Sequence, residues 1–197
     1  KEAAVKGLEI VSTYSFTSDN ATDFTTGVSD AQSKDAELVF LPLYYENDTK
    51  IVMACKNANY NPVFFGVDGF DGALEQEGVD VSMFEGFYYL TPFAYTATDD
   101  ATVSFVSKFN ALAGNNPNQF AADAYDVVYA IYNALVEAGA TADMSAQDIG
   151  ELLCKTFQGG FTYSGLTGSN MTWNENGAVV KAPLAFQVKD GKLTAAE

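Results

Sequence analysis

Short apolar runs alternate with amphipathic segments over the first half of the chain, and this alternation constrains the fold more than any other feature. Runs of strand type occupy residues 9–16, 36–44, 62–67 and 84–93, and helical patterns separate them. A β-α-β-α-β-α-β order is the signature of a parallel, doubly wound sheet with right-handed connections. The run at 36–44 is continuously apolar, which suits a sheet covered on both faces. We therefore predict an α/β fold.

Helical patterns in this half carry recognisable ends. Residues 17–24 supply capping residues for the helix that follows them, and Asn47 or Asp48 can cap a helix at 48–58. The first residues have the pattern of a last helical turn that stops at Gly7, so we expect the chain to begin inside a longer protein. The helix at 48–58 has one apolar face, made of Ile51, Val52, Cys55 and Ala58.

The second half of the chain is mostly helical and ends in turns of hairpin type. Helical spacing of apolar residues covers 99–114 and 120–140, and a capping box at 145–148 begins a third helix. Asn-Gly at 176–177 and Asp-Gly at 190–191 predict hairpin-like turns between strands. The helix at 120–140 has a predicted apolar stripe, made of Val128, Ile131, Tyr132 and Leu135.

Charge and composition exclude several classes of function. The chain has 10 Lys and Arg residues against 26 Asp and Glu residues, which gives a formal net charge of −16. So acidic a surface repels phosphate backbones and anionic lipid, and we expect no nucleic-acid partner. The chain has no histidine, which removes the commonest metal ligand and the commonest general base. No stretch of about 18 apolar residues is present, so no transmembrane helix is predicted.

Neither a metal site nor a catalytic site is predicted. Cys55 and Cys154 cannot make a standard zinc site without histidine, and buried free thiols are favoured over a disulfide between them. The sequence has no GxSxG elbow, no P-loop and no GxGxxG motif after a strand. Asp68 and Asp71 could pair as acid and base, but they lie across a turn and carry no other catalytic signature.

Aromatic and acidic side chains follow two successive strands at the points where the strands end. Tyr44 and Tyr45 come just beyond one strand, and Asp68 and Phe70 lie just beyond the next. Because ligands bind at the carboxyl ends of parallel strands, these four side chains can line one crevice. Aromatic walls with one carboxylate suit a small ligand that carries a cation, such as an amine. The alternative is that the tyrosines cover the core edge and that Asp68 caps the next helix.

Three ordered motifs together carry a resemblance to a known family. The segment "AELVFLPLYYENDTKIVMACKNANYNPVFFGVDGFDG" contains an apolar strand, a loop with proline and two tyrosines, a helix, and a Gly-x-Asp-Gly-aromatic turn. It resembles the second lobe of type I periplasmic solute-binding proteins, in the branched-chain amino-acid-binding group of ABC-transporter receptors. "FAADAYDVVYAIYNALVEAGA" resembles the helix by which that family returns to its first lobe, and "GLTGSNMTWNENGAVVKAPLAFQVKDGK" resembles its last crossover and C-terminal hairpin.

The resemblance implies a site for a free amino acid between two lobes. Asp68 aligns with the acid that accepts hydrogen bonds from the ligand's α-ammonium, and Phe70 aligns with a common tryptophan. Tyr44 or Tyr45 aligns with a tyrosine that faces the ligand, and the residues leave both choices open. Phe120 aligns with an aromatic residue that borders the side-chain pocket from the first lobe.

The resemblance also implies a division of the chain. It runs over essentially all 197 residues, and because family members are nearly twice as long, the chain resembles their C-terminal portion. Residues 1–92 and 171–197 would form the second α/β lobe, and 93–170 would form part of the first lobe. Hinge crossovers would lie near 91–95 and 165–172. Because most of the first lobe lies outside such a portion, we expect the isolated chain to self-associate through uncovered apolar helix faces.

The function that the resemblance implies is that of an extracytoplasmic substrate-binding protein of an ABC importer, either periplasmic or a cell-surface lipoprotein made with a signal peptide. Its ligand would be a branched-chain or other aliphatic amino acid, and its partner an ABC permease in the membrane. No cofactor and no metal are implied. Two alternatives stay open: a sensory or regulatory ligand-binding domain of the same fold, and an enzyme on a flavodoxin-like sheet.

Overall fold

The computed structural model describes residues 2–17 and 21–196, and the chain divides into two compact units. The first unit contains Lys1–Leu90 together with Ala185–Glu197, and the second contains Thr91–Leu184. Each unit is therefore described by itself.

The secondary structure follows the predicted alternation of strands and helices. The helices are α1 (Glu2–Val5), α2 (Thr25–Ser33), α3 (Tyr45–Asn57), α4 (Asp100–Ala113), α5 (Gln119–Glu137) and α6 (Ala146–Gln158). The strands are β1 (Leu38–Leu41), β2 (Val63–Gly66), β3 (Tyr88–Thr91), β4 (Thr172–Trp173), β5 (Val179–Val180), β6 (Leu184–Lys189) and β7 (Lys192–Ala195). Short 3-10 turns occupy Asp68–Phe70, Ala73–Glu75 and Val81–Phe84. Of the predicted capping residues before α2, Ser18–Asn20 lie outside the described residues.

A five-stranded sheet with the order β1-β2-β3-β6-β7 organises the first unit. β1, β2 and β3 are parallel, and the register places Leu41 beside Gly66 and Gly66 beside Tyr89. β6 and β7 form an antiparallel hairpin around Asp190 and Gly191, whose φ angles of 53° and 69° suit the predicted Asp-Gly turn. The predicted α/β fold with a mainly parallel sheet is confirmed.

The strand predicted at residues 9–16 is wrong. These residues belong to no strand, and the side chains of Ile10 and Val11 are exposed. β-propensity reflects packing against neighbours on a sheet, so an exposed segment gains nothing from its β-branched residues.

The two faces of the sheet differ in burial. One face carries the buried side chains of Leu41, Phe64 and Tyr89. On the opposite face, Phe40 and Val63 are exposed. The expected cover on both faces of the sheet is therefore wrong for the described part of the chain.

Helix α5 of the second unit buries alanines rather than the predicted apolar stripe. On α5 the buried positions include Ala122, Ala130 and Ala134, while Val128 and Tyr132 of the predicted stripe are exposed. At Ala122 the small side chain packs with two large rings, Phe93 from the segment after β3 and Phe105 from α4. Within residues 2–17 and 21–196, no helix is both long enough and apolar enough to cross a membrane.

The observed unit boundaries fall at 90/91 and 184/185, compared with crossovers predicted near 91–95 and 165–172. The β4–β5 hairpin, with its Asn-Gly turn at 176–177 as predicted, belongs to the second unit because β4 packs with α6. That the two units are lobes of one binding protein stays a prediction.

Candidate functional site

The loop after β1 and the turn after β2 meet through a glycine. A side chain on Gly69 would collide with the carbonyl oxygen of Leu43 and would stand 3.2 Å from Cα of Tyr44. Only glycine lets two backbones approach so closely. Because β1 and β2 are parallel and in register, both segments leave the same edge of the sheet. This contact, the Gly69 junction, therefore places the backbones of Tyr44 and Asp68 side by side.

Asp68 presents an exposed side chain at this junction. It is the first residue of the 3-10 turn Asp68–Phe70, and it follows the end of β2 closely. That turn begins after Val67 and the next begins after Gly72, and neither has a side-chain cap. The alternative in which Asp68 caps the following helix is therefore not what the structure shows.

Tyr44 and Tyr45 lie on the other side of the Gly69 junction. The side chain of Tyr44 is 63% exposed, whereas Tyr45 is half-buried as the first residue of α3. The carbonyl oxygen of Tyr45 accepts a hydrogen bond from Thr49 Oγ1 at 2.7 Å. Tyr44 thus offers the larger aromatic surface beside Asp68, and the choice of ligand-facing tyrosine stays a prediction.

The structure places Phe70 in the core, and its predicted role as a wall of the crevice is corrected. Its side chain is 1% exposed and stacks on Phe87 with ring centroids 4.0 Å apart. The rings of Phe84 and Tyr89 contact it edge-on at 5.1 and 4.9 Å. Space for these rings exists because Gly66 has no side chain, so that Phe87 and Phe70 close over it. Phe70 therefore anchors the turn that carries Asp68.

Asp71 is buried, whereas Asp68 is exposed. The carboxylate of Asp71 accepts a hydrogen bond from the hydroxyl of Tyr89 at 3.3 Å. An acid–base pair needs both carboxyl groups to reach one substrate, whereas Asp68 is exposed and Asp71 is buried. The pairing of Asp68 with Asp71 has no support in this geometry.

Sequence reasoning missed Asp48 as a buried acid. The predicted cap at Asn47 or Asp48 is wrong, because α3 begins after Tyr44 and places Asp48 inside the helix. Its side chain is 0% exposed, and within the described part of the chain neither carboxyl oxygen has a hydrogen-bond partner. Desolvation raises the pKa of Asp48 from 3.8 to about 8. The available signal was spacing, since Asp48 lies on the apolar face of α3 that Ile51 and Cys55 define.

Phe120 belongs to the second unit. It lies at the start of α5, one residue after Gln119, and its side chain is partly exposed. Asn118 begins this helix, and its side-chain oxygen accepts a hydrogen bond from the N–H of Ala121 at 3.2 Å. The structure therefore places Phe120 at a helix N-terminus in the second unit, and its predicted ligand contact stays a prediction.

Asp126 fastens α5 to the segment that follows residue 165. Its carboxylate accepts hydrogen bonds from the N–H of Leu166 at 2.9 Å and from the N–H and hydroxyl of Thr167 at 2.8 Å each. Lys181 adds a further link, since its ammonium lies 3.1 Å from both Thr167 Oγ1 and an oxygen of Asp123. A predicted hinge crossover near 165–172 is thus held by one buried carboxylate.

Both cysteines are free thiols in the structure. Cys55 is buried on α3, as predicted, but Cys154 is exposed on α6, which corrects its predicted burial. Within residues 2–17 and 21–196, no three metal-ligating side chains lie together.

Comparison with known families gives the class of the protein. The sequence profile of the periplasmic binding proteins matches residues 1–192. Since that match spans nearly the whole chain, the chain belongs to the periplasmic binding protein family. No curated protein matches the sequence.

Solved structures share the type I fold of this family. The leucine binding protein LivK of Thermotoga maritima is 22% identical over 92% of this chain and 49% of its own, with a TM-score of 0.73. The branched-chain amino acid transporter substrate binding protein LivJ of Streptococcus pneumoniae, solved with isoleucine, is 23% identical over 100% of this chain and 54% of its own, with a TM-score of 0.77. A solute binding protein of R. palustris, solved with benzoate, is 16% identical over 98% of this chain and 51% of its own, with a TM-score of 0.79. At these identities the likeness shows the fold, and the chain spans about half the length of each structure.

Proposed function

We propose that this chain is part of an extracytoplasmic substrate-binding protein of an ABC importer, and that the end of its parallel sheet binds the ammonium group of an aliphatic amino acid. The observation that carries the proposal is the exposed Asp68 side chain, which caps no helix and is held beside Tyr44 by the Gly69 junction.

The chemistry of these groups suits an α-ammonium. Asp68 is acceptor-only when ionised, and each charge-assisted hydrogen bond from an ammonium contributes about 1.5–3 kcal/mol. The exposed ring of Tyr44 offers a π-face to the same cation, which adds about 0.5–1 kcal/mol at an exposed site. One relative is a leucine binding protein and another was solved with isoleucine. These ligands are the reason why we propose an aliphatic amino acid.

The benzoate complex of the R. palustris relative sharpens the argument for Asp68. Benzoate has a carboxylate and no ammonium, so the fold alone does not select amino acids. If Asp68 is the counter-charge of an ammonium, it repels a ligand that carries only negative charge. The ligand class of this chain therefore depends on Asp68.

The remaining features of the proposal come from the family. A binding role without turnover agrees with the family, and an extracytoplasmic location follows from its periplasmic members. The partner that we propose is an ABC permease, which receives the ligand. No cofactor enters the proposal.

The test is a calorimetric titration of the wild-type chain and of Asp68→Asn with leucine, isoleucine and benzoate from micromolar to millimolar concentration. Asn keeps the size and hydrogen-bonding capacity of Asp and removes its charge. Loss of such a charge-assisted hydrogen bond costs about 1.5–3 kcal/mol, so leucine affinity should fall by about one to two decades. Benzoate affinity should not fall.

Asp80→Asn is the matched control. Asp80 is an exposed aspartate of the same unit whose carboxylate accepts a hydrogen bond from the N–H of Ser82 at 3.0 Å and so caps the 3-10 turn Val81–Phe84. Its replacement should leave leucine affinity unchanged. Leucine binding by Asp68→Asn within a few-fold of wild type would remove Asp68 from the site and with it the amino-acid assignment.

A further inference from the structure

The position of Asp48 connects it to the Gly69 junction. The side chain of a helical residue lies over the turn N-terminal to its own Cα, so Asp48 in the first turn of α3 extends toward the start of that helix. That end of α3 is where Leu43 and Tyr44 contact Gly69. The 3-10 turn Asp68–Phe70 packs against α3, and Asp48 lies on the buried face of that helix, with Ile51 and Cys55.

Among the described residues of the elements packed around α3, no counter-charge acts on Asp48, whose pKa is raised by desolvation alone. α3 packs against α2 and against the 3-10 turns. The acid of α2 is Asp30, which Lys34 and Ser12 already occupy, with Lys34 Nζ at 2.8 Å. The turns contribute two further acids, Asp68 and Glu75, and none at Val81–Phe84.

The cation on α3 nearest in sequence is also engaged elsewhere. Lys50 Nζ donates to the carbonyl oxygen of Ala21 at 3.1 Å. Asp48 thus combines complete burial with two oxygens that have no hydrogen-bond partner in the described part of the chain, and both facts oppose its ionised form.

We propose that Asp48 is a positioning residue for Asp68 and Tyr44 at the Gly69 junction: its uncharged form keeps the 3-10 turn Asp68–Phe70 packed against α3, and its ionisation separates the turn from the helix. That Asp68 and Tyr44 bind a ligand rests on the proposed function, whereas the packing of α3 against the turn does not. Opening admits water to the carboxyl group, which then ionises as an ordinary aspartate does.

The proposal fixes how opening depends on pH. The closed form keeps a proton on Asp48 that the open form releases, so raising the pH favours opening. Between the ordinary pKa of 3.8 and the raised pKa of about 8, the open population should increase about tenfold per pH unit. Above that range both forms are ionised and the population should level off. The chain has no histidine whose titration would overlap this window.

A buried thiol on the same helix face provides the readout. Cys55 lies two turns after Asp48 and is 1% exposed, and burial raises its pKa to about 11. A disulfide reagent reacts with Cys55 only after α3 opens. Cys154 is exposed and would react directly, so the measurement uses a Cys154→Ser background.

The experiment is the rate of Cys55 modification between pH 5.5 and 7.5. The thiolate fraction alone gives the logarithm of the rate a slope of about 1 against pH. Opening linked to the ionisation of Asp48 adds a further slope of about 1, so the total slope should be about 2 when Asp48 is present. In Asp48→Asn the slope should return to about 1. In the Cys55→Ser chain, the exposed thiol of Cys154 supplies the reference slope of about 1 even if Asp48→Asn does not fold.

A slope of about 1 for Cys55 in the Cys154→Ser chain with Asp48 present would overturn the proposal. A slope of about 2 in folded Asp48→Asn would overturn it as well. Leucine titration at pH 5.5 and 7.5 is the second measurement. Failure to bind leucine at either pH contradicts the proposed function and leaves the thiol result to decide the role of Asp48. Leucine affinity that falls with rising pH in wild type and not in Asp48→Asn supports both.

Discussion

Two of the buried aspartates, Asp48 of the first unit and Asp126 of the second, show how differently the same side chain can be accommodated. Asp48 is 0% exposed and Asp126 is 4% exposed. Asp126 accepts three hydrogen bonds from Leu166 and Thr167, whereas Asp48 has no partner within the described part of the chain. Burial of a carboxyl group alone therefore does not decide whether its oxygens are hydrogen-bonded. The decisive factor is whether the surrounding chain turns donors toward it.

The two aspartates also differ in what they hold. Asp126 links α5 to a segment 40 residues away along the chain, through backbone N–H groups that only an acceptor can satisfy. Asp48 makes no such link and stays uncharged. Removing Asp126 should therefore damage the fold, whereas replacing Asp48 by its neutral isostere should improve it.

The largest effect is expected for Asp126→Ala. The substitution removes the acceptor of the buried N–H of Thr167 and of the part-buried N–H of Leu166, and the free energy of unfolding should fall by about 3–5 kcal/mol. Trp173 is the single tryptophan and packs on Phe157 in the same unit, so denaturant unfolding followed by its fluorescence measures the loss. A change below about 1 kcal/mol would contradict the role of these bonds.

Asp48→Asn should raise the free energy of unfolding, in contrast to Asp126→Ala. A group whose folded pKa is raised contributes stability that is complete below its unfolded pKa of 3.8 and is lost as pH rises to about 8. Wild type should therefore lose stability from pH 4 to 8, and the Asn variant should lose less. At pH 7 the variant should be more stable by about 2–4 kcal/mol. Melting curves at several pH values measure this difference, and parallel curves for the two proteins would contradict it.

Local sequence signals predicted the parallel sheet, but they could not predict Asp48. Apolar runs and Asp-Gly turns are local features, and they identified the first unit's strands and its final hairpin. The start of α3 at Tyr45 was missed, because no side-chain cap marks it. With the helix predicted to begin three residues later, Asp48 was interpreted as its cap and not as a buried residue.

The candidate site was predicted only in part for a similar reason. The position of Asp68 after β2 is encoded locally, and the structure shows it exposed at the sheet end. The burial of Phe70 depends on Phe84 and Phe87, which are distant in sequence, and on the space above Gly66. Contacts of this kind appear only after the chain has folded.

Gly69→Ala should have an intermediate effect. The added methyl group meets the carbonyl oxygen of Leu43, so the free energy of unfolding should fall by about 1–3 kcal/mol and leucine binding should weaken. Gly150→Ala is the control, because Gly150 lies within α6 with nothing near its missing side chain. It should stabilise the chain by about 0.5–1 kcal/mol. Equal effects at the two glycines would contradict the Gly69 junction.

The smallest effect is expected for Lys181→Met. Lys181 supports Thr167 from outside through one hydrogen bond and pairs with a partly exposed Asp123. Surface pairs of this kind contribute about 0.2–1 kcal/mol, so the free energy of unfolding should change by no more than that. The same Trp173 fluorescence experiment measures it. A loss as large as that of Asp126→Ala would show that Lys181, rather than the backbone donors, compensates Asp126.

The Gly69 junction has a consequence for how this surface can evolve. The contact joins backbone to backbone, with the carbonyl oxygen of Leu43 on one side and the Cα of Gly69 on the other. It therefore depends on the identity of residue 69 and not on the side chains at Tyr44 or Asp68. New side chains can appear at those two positions while the loops keep their places. A family that shares this junction can acquire new ligands by ordinary substitution, without first rebuilding the platform that presents them.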